Sequence, residues 1–264
     1  MKAEQLFEVR GYAVLVTGAA SGLGLAIAEV LAANGAVVAM LDADAERLQT
    51  AATRLQAAGA QVRAIVLDVT DSERLRQAID DFAQSCGRLD VVFANAGVSA
   101  GPGFAVRPEG ELDGVALDAW RRVLDINLTS VLVTMQAAAR HMKTARSGRI
   151  VVTASIAGLR AERTVGYAYA ATKAAVANLV RQAAVELAPF NVLVNAIAPG
   201  PFLTQIAGGQ LHRPEVRARF EELVPLGRVA APQEIQGLAL LLASPASSFI
   251  TGTVIAVDGG ATAA

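Results

Sequence analysis

The chain is poor in cysteine, histidine and aromatics: one Cys, two His, and Phe, Trp and Tyr together only 5% of 264 residues. A single thiol, Cys86, excludes an internal disulfide and any cysteine-cluster metal site, and no metal is expected. It falls near the end of an expected helix, just before Gly87, with no histidine near it in sequence, and reads as a half-buried thiol rather than a nucleophile. An excess of either charge is also missing. The 23 basic and 24 acidic residues are evenly spread, so there is no basic footprint for nucleic acid and no charged tail. No charge-free apolar run reaches the ~18 residues of a membrane span. Met1 to Arg10 lacks the apolar stretch of a secretory signal. The expectation is a soluble cytoplasmic protein with neither membrane nor nucleic-acid partner.

What is present is apolar material, 53% of the chain and much of it alanine, which suits helices packed closely on a sheet. Short apolar runs alternate with helical patterns. Strands are expected at 12–17, 36–41, 61–67, 89–94, 149–153, 191–197 and 253–257. Between them the pattern predicts helices at 22–34, from the Asp44 cap to Ala58, at 71–85, 117–145 and 165–187, and one opened by Pro232. Residues 98–117 read as an unusually long Gly/Pro/Glu-containing loop. Residues 203–224 read as a two-piece helical segment interrupted by Gly208-Gly209 and Pro214. No linker divides the chain. The fold class is α/β: one doubly wound, Rossmann-type domain over 1–264, a seven-stranded parallel sheet with helices on both faces.

The first strand runs directly into Thr17-Gly18-Ala-Ala-Ser21-Gly22-Leu23-Gly24 and then a helix. Glycines there permit a tight turn, let backbone N–H groups approach a pyrophosphate, and let the helix pack close to the strand. The helix N-terminus then presents its positive end to phosphate. Asp42 ends the second strand, eighteen positions after Gly24, where a carboxylate can accept from an adenosine ribose. The same carboxylate would repel a 2′-phosphate, and Ala43 and Ser21 offer no positive charge to hold one. The expected cofactor is NAD in preference to NADP.

Tyr169 and Lys173 lie four apart in Gly166-Tyr-Ala-Tyr-Ala-Ala-Thr-Lys173 and so share a helix face, while Tyr167 sits well round from Lys173. An ammonium beside a phenol favours phenolate, and a fall from ~10 to near 7 needs roughly 4 kcal/mol. The pair is thus expected to supply an acid/base with a lowered pKa.

With these motifs the chain resembles the short-chain dehydrogenase/reductase family over essentially its whole length. Asp68 in Leu-Asp-Val, Asn95-Ala96-Gly97, Asn127 in Ile-Asn-Leu, Ser155, Pro199-Gly200 through Thr204, and Val257-Asp-Gly-Gly260 also match. The resemblance implies that Tyr169 is the general acid/base, and that Lys173 tunes it and holds the nicotinamide ribose. It implies that Ser155 hydrogen-bonds the substrate oxygen and that Asn127 holds a proton-relaying water. Cofactor contacts would come from Gly18, Ser21, Gly22, Leu23, Gly24, Asp42, Asp68, Val69, Asn95, Ala96, Gly97, Tyr169, Lys173, Pro199, Gly200, Phe202 and Thr204. Two departures stand out. One asparagine precedes Ala96-Gly97 where the family often has two, and Ser155 to Tyr169 is one residue longer than in many members.

The substrate is expected to meet Val98–Ala100, the residues after Ser155 and the 203–224 segment as a lid. Ile156, Ala157, Leu159, Phe202, Leu203 and Ile206 favour a secondary alcohol or ketone of modest polarity. Arg107, Arg160, Arg163, His212 and Arg213 offer the alternative of gripping a carboxylate or phosphate. The alanine-rich helices 117–145 and 165–187 fit the family's use of them in dimers, usually within a homotetramer. Rival readings are a non-catalytic NAD-binding regulator, an epimerase or dehydratase that retains NAD, and a methyltransferase. The complete Asn127/Ser155/Tyr169/Lys173 set speaks against the first and last, and the lack of an extra substrate domain against the second.

Overall fold

The computed structural model describes residues 2–264. After a helical turn α1 (Ala3–Leu6), the order is β1 (Ala13–Thr17), α2 (Gly22–Ala33), β2 (Val37–Asp42), α3 (Ala45–Ala57), β3 (Val62–Val66), α4 (Ser72–Cys86) and β4 (Val91–Ala94). There follow α5 (Leu117–Leu124), α6 (Ser130–Ala145), β5 (Gly148–Thr153), α7 (Tyr167–Leu187), β6 (Val192–Pro199), α8 (Pro214–Glu221), α9 (Gln236–Ala243) and β7 (Val254–Val257). The seven strands form one sheet in the order β3-β2-β1-β4-β5-β6-β7, every pairing parallel. The order reverses between β1 and β4, and ligands of such sheets bind in the crevice outside the strand ends at that point.

β1 and β4 are buried at every residue, as strands covered on both faces must be, which explains their unbroken apolar runs. One core cluster packs α4, α6 and α7 on one face; the other packs α2, α3 and α9 on the opposite face. In α2, Ile27 and Leu31 are fully buried, each contributing about 1.5–3 kcal/mol, while Gly24, Ala26 and Ala28 let the helix approach β1 closely. Asp44 and Asp71 cap α3 and α4 by accepting from Arg47 N and Arg74 N, and Gly87 ends α4 in the left-handed conformation. Cys86 is half-buried as expected. Among the described residues no helix is long and apolar enough to cross a membrane.

Two elements differ from expectation. The helix expected at 117–145 is interrupted by a π turn, Asp125–Thr129, in which Ser130 N donates to Asp125 O five residues back. The loop after β4 carries two 3-10 turns, Pro108–Gly110 and Leu112–Gly114, and pairs antiparallel with the approach to α7 at Pro102 and Val165. Gly103 and Gly166 permit this. A Cβ on Gly103 would lie 2.3 Å from Arg163 O, and one on Gly166 would lie 2.5 Å from Ala100 O.

Candidate active site

The glycine turn is a cradle without room for side chains. Gly18 (φ +67°) and Gly22 (φ +54°) hold left-handed conformations that favour glycine. A Cβ on Gly24 would sit 2.0 Å from Gly18 O, and one on Gly18 would sit 2.9 Å from Ala96 Cα. Ser21 precedes α2 in extended conformation and its hydroxyl makes no cap bond, so it stays available at the positive helix end. Leu23 packs against the core beneath. The Thr204 side chain covers the turn, 3.3 Å from where a Gly22 Cβ would lie. Backbone donors, a helix N-terminus and excluded side chains fit the pyrophosphate of a dinucleotide.

Asp42 is fixed for the outer end of that crevice: its Oδ2 accepts from Ala20 N (2.9 Å) and its Oδ1 from Asp44 N (3.0 Å). Asp68 Oδ1 accepts from Thr70 N and Thr70 Oγ1, both at 2.9 Å, which leaves Oδ2 free beside the buried Val69. At the far side, Gly200 N donates to Val257 O (2.9 Å), so Pro199-Gly200 is tied to β7. The Phe202 ring is 4% exposed and belongs to the core, so Phe202 can meet a ligand only through its main chain.

The single asparagine before Ala96-Gly97, Asn95, is fully engaged. Its Nδ2 donates to Thr17 O (3.0 Å) and Gly18 O (3.3 Å), and its Oδ1 accepts from Thr153 Oγ1 (2.9 Å). Thr17 Oγ1 in turn accepts from Asn95 N and Ala96 N, both at 3.0 Å. One amide thus ties the ends of β1, β4 and β5 together. Thr17 and Thr153 escaped notice in the sequence; the available signal was a hydroxyl closing each of two apolar strands.

The π turn swings Asn127 inward until it is fully buried. There its Oδ1 accepts from Val98 N (2.8 Å) and its Nδ2 donates to Val98 O (2.9 Å), so the side chain pins the strand-four loop. Ser130 Oγ donates to Ile126 O (2.6 Å) within the same turn.

Ser155 lies two residues beyond β5, where its Oγ accepts from Ala157 N (3.2 Å) and keeps its own proton to donate. Lys173 Nζ donates to Thr153 O (2.7 Å) and lies 5.6 Å from the Tyr169 ring centroid. Gly97 passes close by: a Cβ there would lie 3.5 Å from Lys173 Nζ and 3.4 Å from Asn127 Oδ1. Gly158, also missed in the sequence, lets the loop after Ser155 pack on α7, since its Cβ would lie 2.4 Å from Lys173 O. The fold therefore brings Asn127, Ser155, Tyr169 and Lys173 to one end of the sheet beside the cradle.

The electrostatics correct one expectation. Burial pushes the Tyr169 phenol above its ordinary value, and the Ser155 hydroxyl only partly pulls it back. Lys173 does not offset this: its Nζ is turned onto Thr153 O and stands 5.6 Å from the Tyr169 ring centroid. The protein alone does not create an acidic tyrosine.

The expected anion grips are mostly committed elsewhere. Arg160 Nε pairs with Glu162 Oε1 (2.9 Å), Arg213 pairs with Glu215 (2.7 Å), and His212 faces Gln205 (3.5 Å). Arg107 and Arg163 are exposed.

A parallel sheet with a phosphate cradle at its switch point, a fixed carboxylate beyond it and a Ser-Tyr-Lys set beside it defines a dinucleotide-dependent oxidoreductase. The comparisons agree. The family described as Enoyl-(Acyl carrier protein) reductase matches residues 18–262. Cis-4-hydroxycyclohexanecarboxylate dehydrogenase of Sinomonas cyclohexanicum is 41% identical, covering 94% of this chain and 96% of the relative. Cyclohexanol dehydrogenase of Rhodococcus sp. (strain TK6) is 38% identical over 96% and 97%. A gluconate 5-dehydrogenase from Burkholderia cenocepacia J2315, solved with NADP and tartrate, superposes with a TM-score of 0.90 at 32% identity over 100% of both chains. The chain belongs to the short-chain dehydrogenase/reductase family and is an oxidoreductase of secondary alcohols and ketones that uses NAD(P).

Proposed function

We propose that this protein is an NAD-dependent dehydrogenase of a secondary alcohol carried on a largely apolar frame, with Tyr169 as its general acid/base. The observation that carries the reading is the convergence of Ser155, Tyr169 and Lys173 on the crevice whose outer end holds Asp42. When bound, a nicotinamide would supply or accept the hydride. Ser155 donates its hydroxyl proton to the substrate oxygen, and Tyr169 takes or returns the proton of that oxygen. Lys173, one helical turn away, holds the nicotinamide ribose and links Tyr169 to the proton path past Asn127. Ile156, Ala157, Leu159, Leu203 and Ile206 offer an apolar surround, and residues 203–224 cover it as a lid. Cyclohexanol, for which one relative is named, is a ring alcohol of this kind.

NAD preference rests on Asp42, whose two oxygens are already oriented by Ala20 N and Asp44 N. A 2′-phosphate would bring like charge against it. With cyclohexanol as the probe alcohol, kcat/KM should favour NAD over NADP by about tenfold or more, and Asp42→Ser should narrow that ratio by about tenfold. Equal use of both cofactors by the unaltered protein would remove the preference, and no reduction of either with a panel of secondary alcohols would remove the reading itself.

The assembly we propose is a homotetramer. Leu132 on α6 and Val185 on α7 are 40% and 78% exposed, apolar side chains on the two helices that the family pairs between subunits. Sedimentation at micromolar concentration should show a single species of four chains; a monomer there would refute the assembly.

A further inference from the structure

The end of the chain closes against the catalytic loop and carries an unbalanced charge there. Ile156, the residue after Ser155, packs with Val224 at the end of the lid and with Ala261 in a small buried cluster. Gly259 approaches Val224 so closely that a Cβ would lie 2.5 Å from its Cγ1, and Leu226 N donates to Gly259 O (3.1 Å). The turn 258–262 is therefore a wall of the space between the catalytic loop and the lid.

Asp258 organises that wall. Its Oδ2 accepts from Thr262 N (2.8 Å) and Thr262 Oγ1 (2.6 Å), and its Oδ1 from Gly260 N (3.0 Å). Burial opposes its ionisation, yet these bonds and the nearby Arg160 bring its carboxyl below the ordinary value, so it stays charged. Arg160 reaches this wall from the catalytic loop. Its Nη1 donates to Ala261 O and its Nε to Glu162 Oε1 (2.9 Å), a carboxylate whose side chain is only 18% exposed. Arg160 thus offsets one carboxylate, Glu162, while the Asp258 charge stays within the turn that Arg160 reaches, and these three groups sum to a net negative charge.

Resting on the dehydrogenase reading above, the geometry points to a substrate that is uncharged at the end remote from its carbinol: Glu162 and the Ala261 carbonyl hold Arg160, and the Asp258 charge in the same turn turns a carboxylate away. The residue that sequence reading offered as a carboxylate grip is here the neutralised centre of a repelling corner. The protein would then differ in substrate from its 41% identical relative, whose named substrate carries a carboxylate.

Binding separates this inference from turnover. Cyclohexanecarboxamide and cyclohexanecarboxylate have the same shape and differ in charge. Titrated calorimetrically into the protein saturated with NAD, the amide should bind about tenfold tighter. Glu162→Gln, which frees Arg160 and removes one negative charge, should narrow the gap to about threefold or less, and raising salt should narrow it too. A carboxylate that binds as tightly as the amide, or tighter, overturns the inference and moves recognition to Arg107 or Arg163; so does a failure of both to bind, or a gap unmoved by Glu162→Gln. NADH formation from cyclohexanol, followed separately, tests the dehydrogenase reading whatever the titration gives.

Discussion

Tyr169→Phe should lose about three to four orders of magnitude in turnover while binding NAD within about twofold of the unaltered protein. Phenylalanine keeps the ring and its packing, so α7 and the Lys173 bond to Thr153 O stay in place. Only the phenolic oxygen is lost. Ser155 cannot substitute, because its Oγ already accepts from Ala157 N and no base stands ready to take its proton. The pH profile carries the sharper test. Burial raises the Tyr169 phenol, so the ionised form that accepts the alcohol proton grows only as pH rises. Alcohol oxidation should therefore climb with pH in the unaltered protein, and the climb should vanish in Tyr169→Phe. Activity surviving within tenfold, or an unchanged profile, would assign the proton to another group.

The fold was legible because the five inner strands are covered on both faces. Ala13–Val16 and Val91–Ala94 read as unbroken apolar runs and Val192–Pro199 as one broken only by Asn195, and each stands where such a run must stand in a parallel sheet. Glycines and caps marked the helix ends for a similar reason: a left-handed residue such as Gly87, or a carboxylate such as Asp44, is required by local geometry. The site's members were legible as types in order. Their directions were not.

Spacing four apart put Tyr169 and Lys173 on one face, yet a lysine stem is long, and the nearest buried carbonyl, Thr153 O, decides where Nζ goes. Arg160 was open to an anion in the sequence, because its partners come from Glu162 and from Ala261, about a hundred positions away. The π turn at Asp125–Thr129 leaves no mark in Ile-Asn-Leu; it is fixed by the two bonds between Asn127 and Val98, a long-range demand. The loop after β4 read as irregular, and its pairing with Val165 depends on glycines at 103 and 166 that only contact could join.

Lys173→Met should abolish most turnover and yet stabilise the cofactor-free protein. Lys173 is 3% exposed, and burial brings its pKa from 10.5 down to about 8. The folded chain thus binds fewer protons than the unfolded one between those two values. Its stability rises with pH across that window, and the cost of the buried charge is fully present below about pH 8. At ~1.4 kcal/mol per unit that cost is about 3 kcal/mol. Methionine keeps the apolar stem and carries no charge, but it gives up the charge-assisted bond to Thr153 O, worth about 1.5–3 kcal/mol. The balance favours methionine by up to about 1.5 kcal/mol at pH 7, a rise in Tm of up to roughly 3 °C for a domain of this size. Turnover should fall about a hundredfold or more, since both the ribose contact and the link to Tyr169 are gone. Thermal melts of the cofactor-free proteins at pH 7 and pH 9.5 check the balance: the advantage of methionine should shrink as Lys173 becomes neutral. A variant less stable at pH 7, with the same pH dependence as the unaltered protein, would mean that the Thr153 bond outweighs the buried charge.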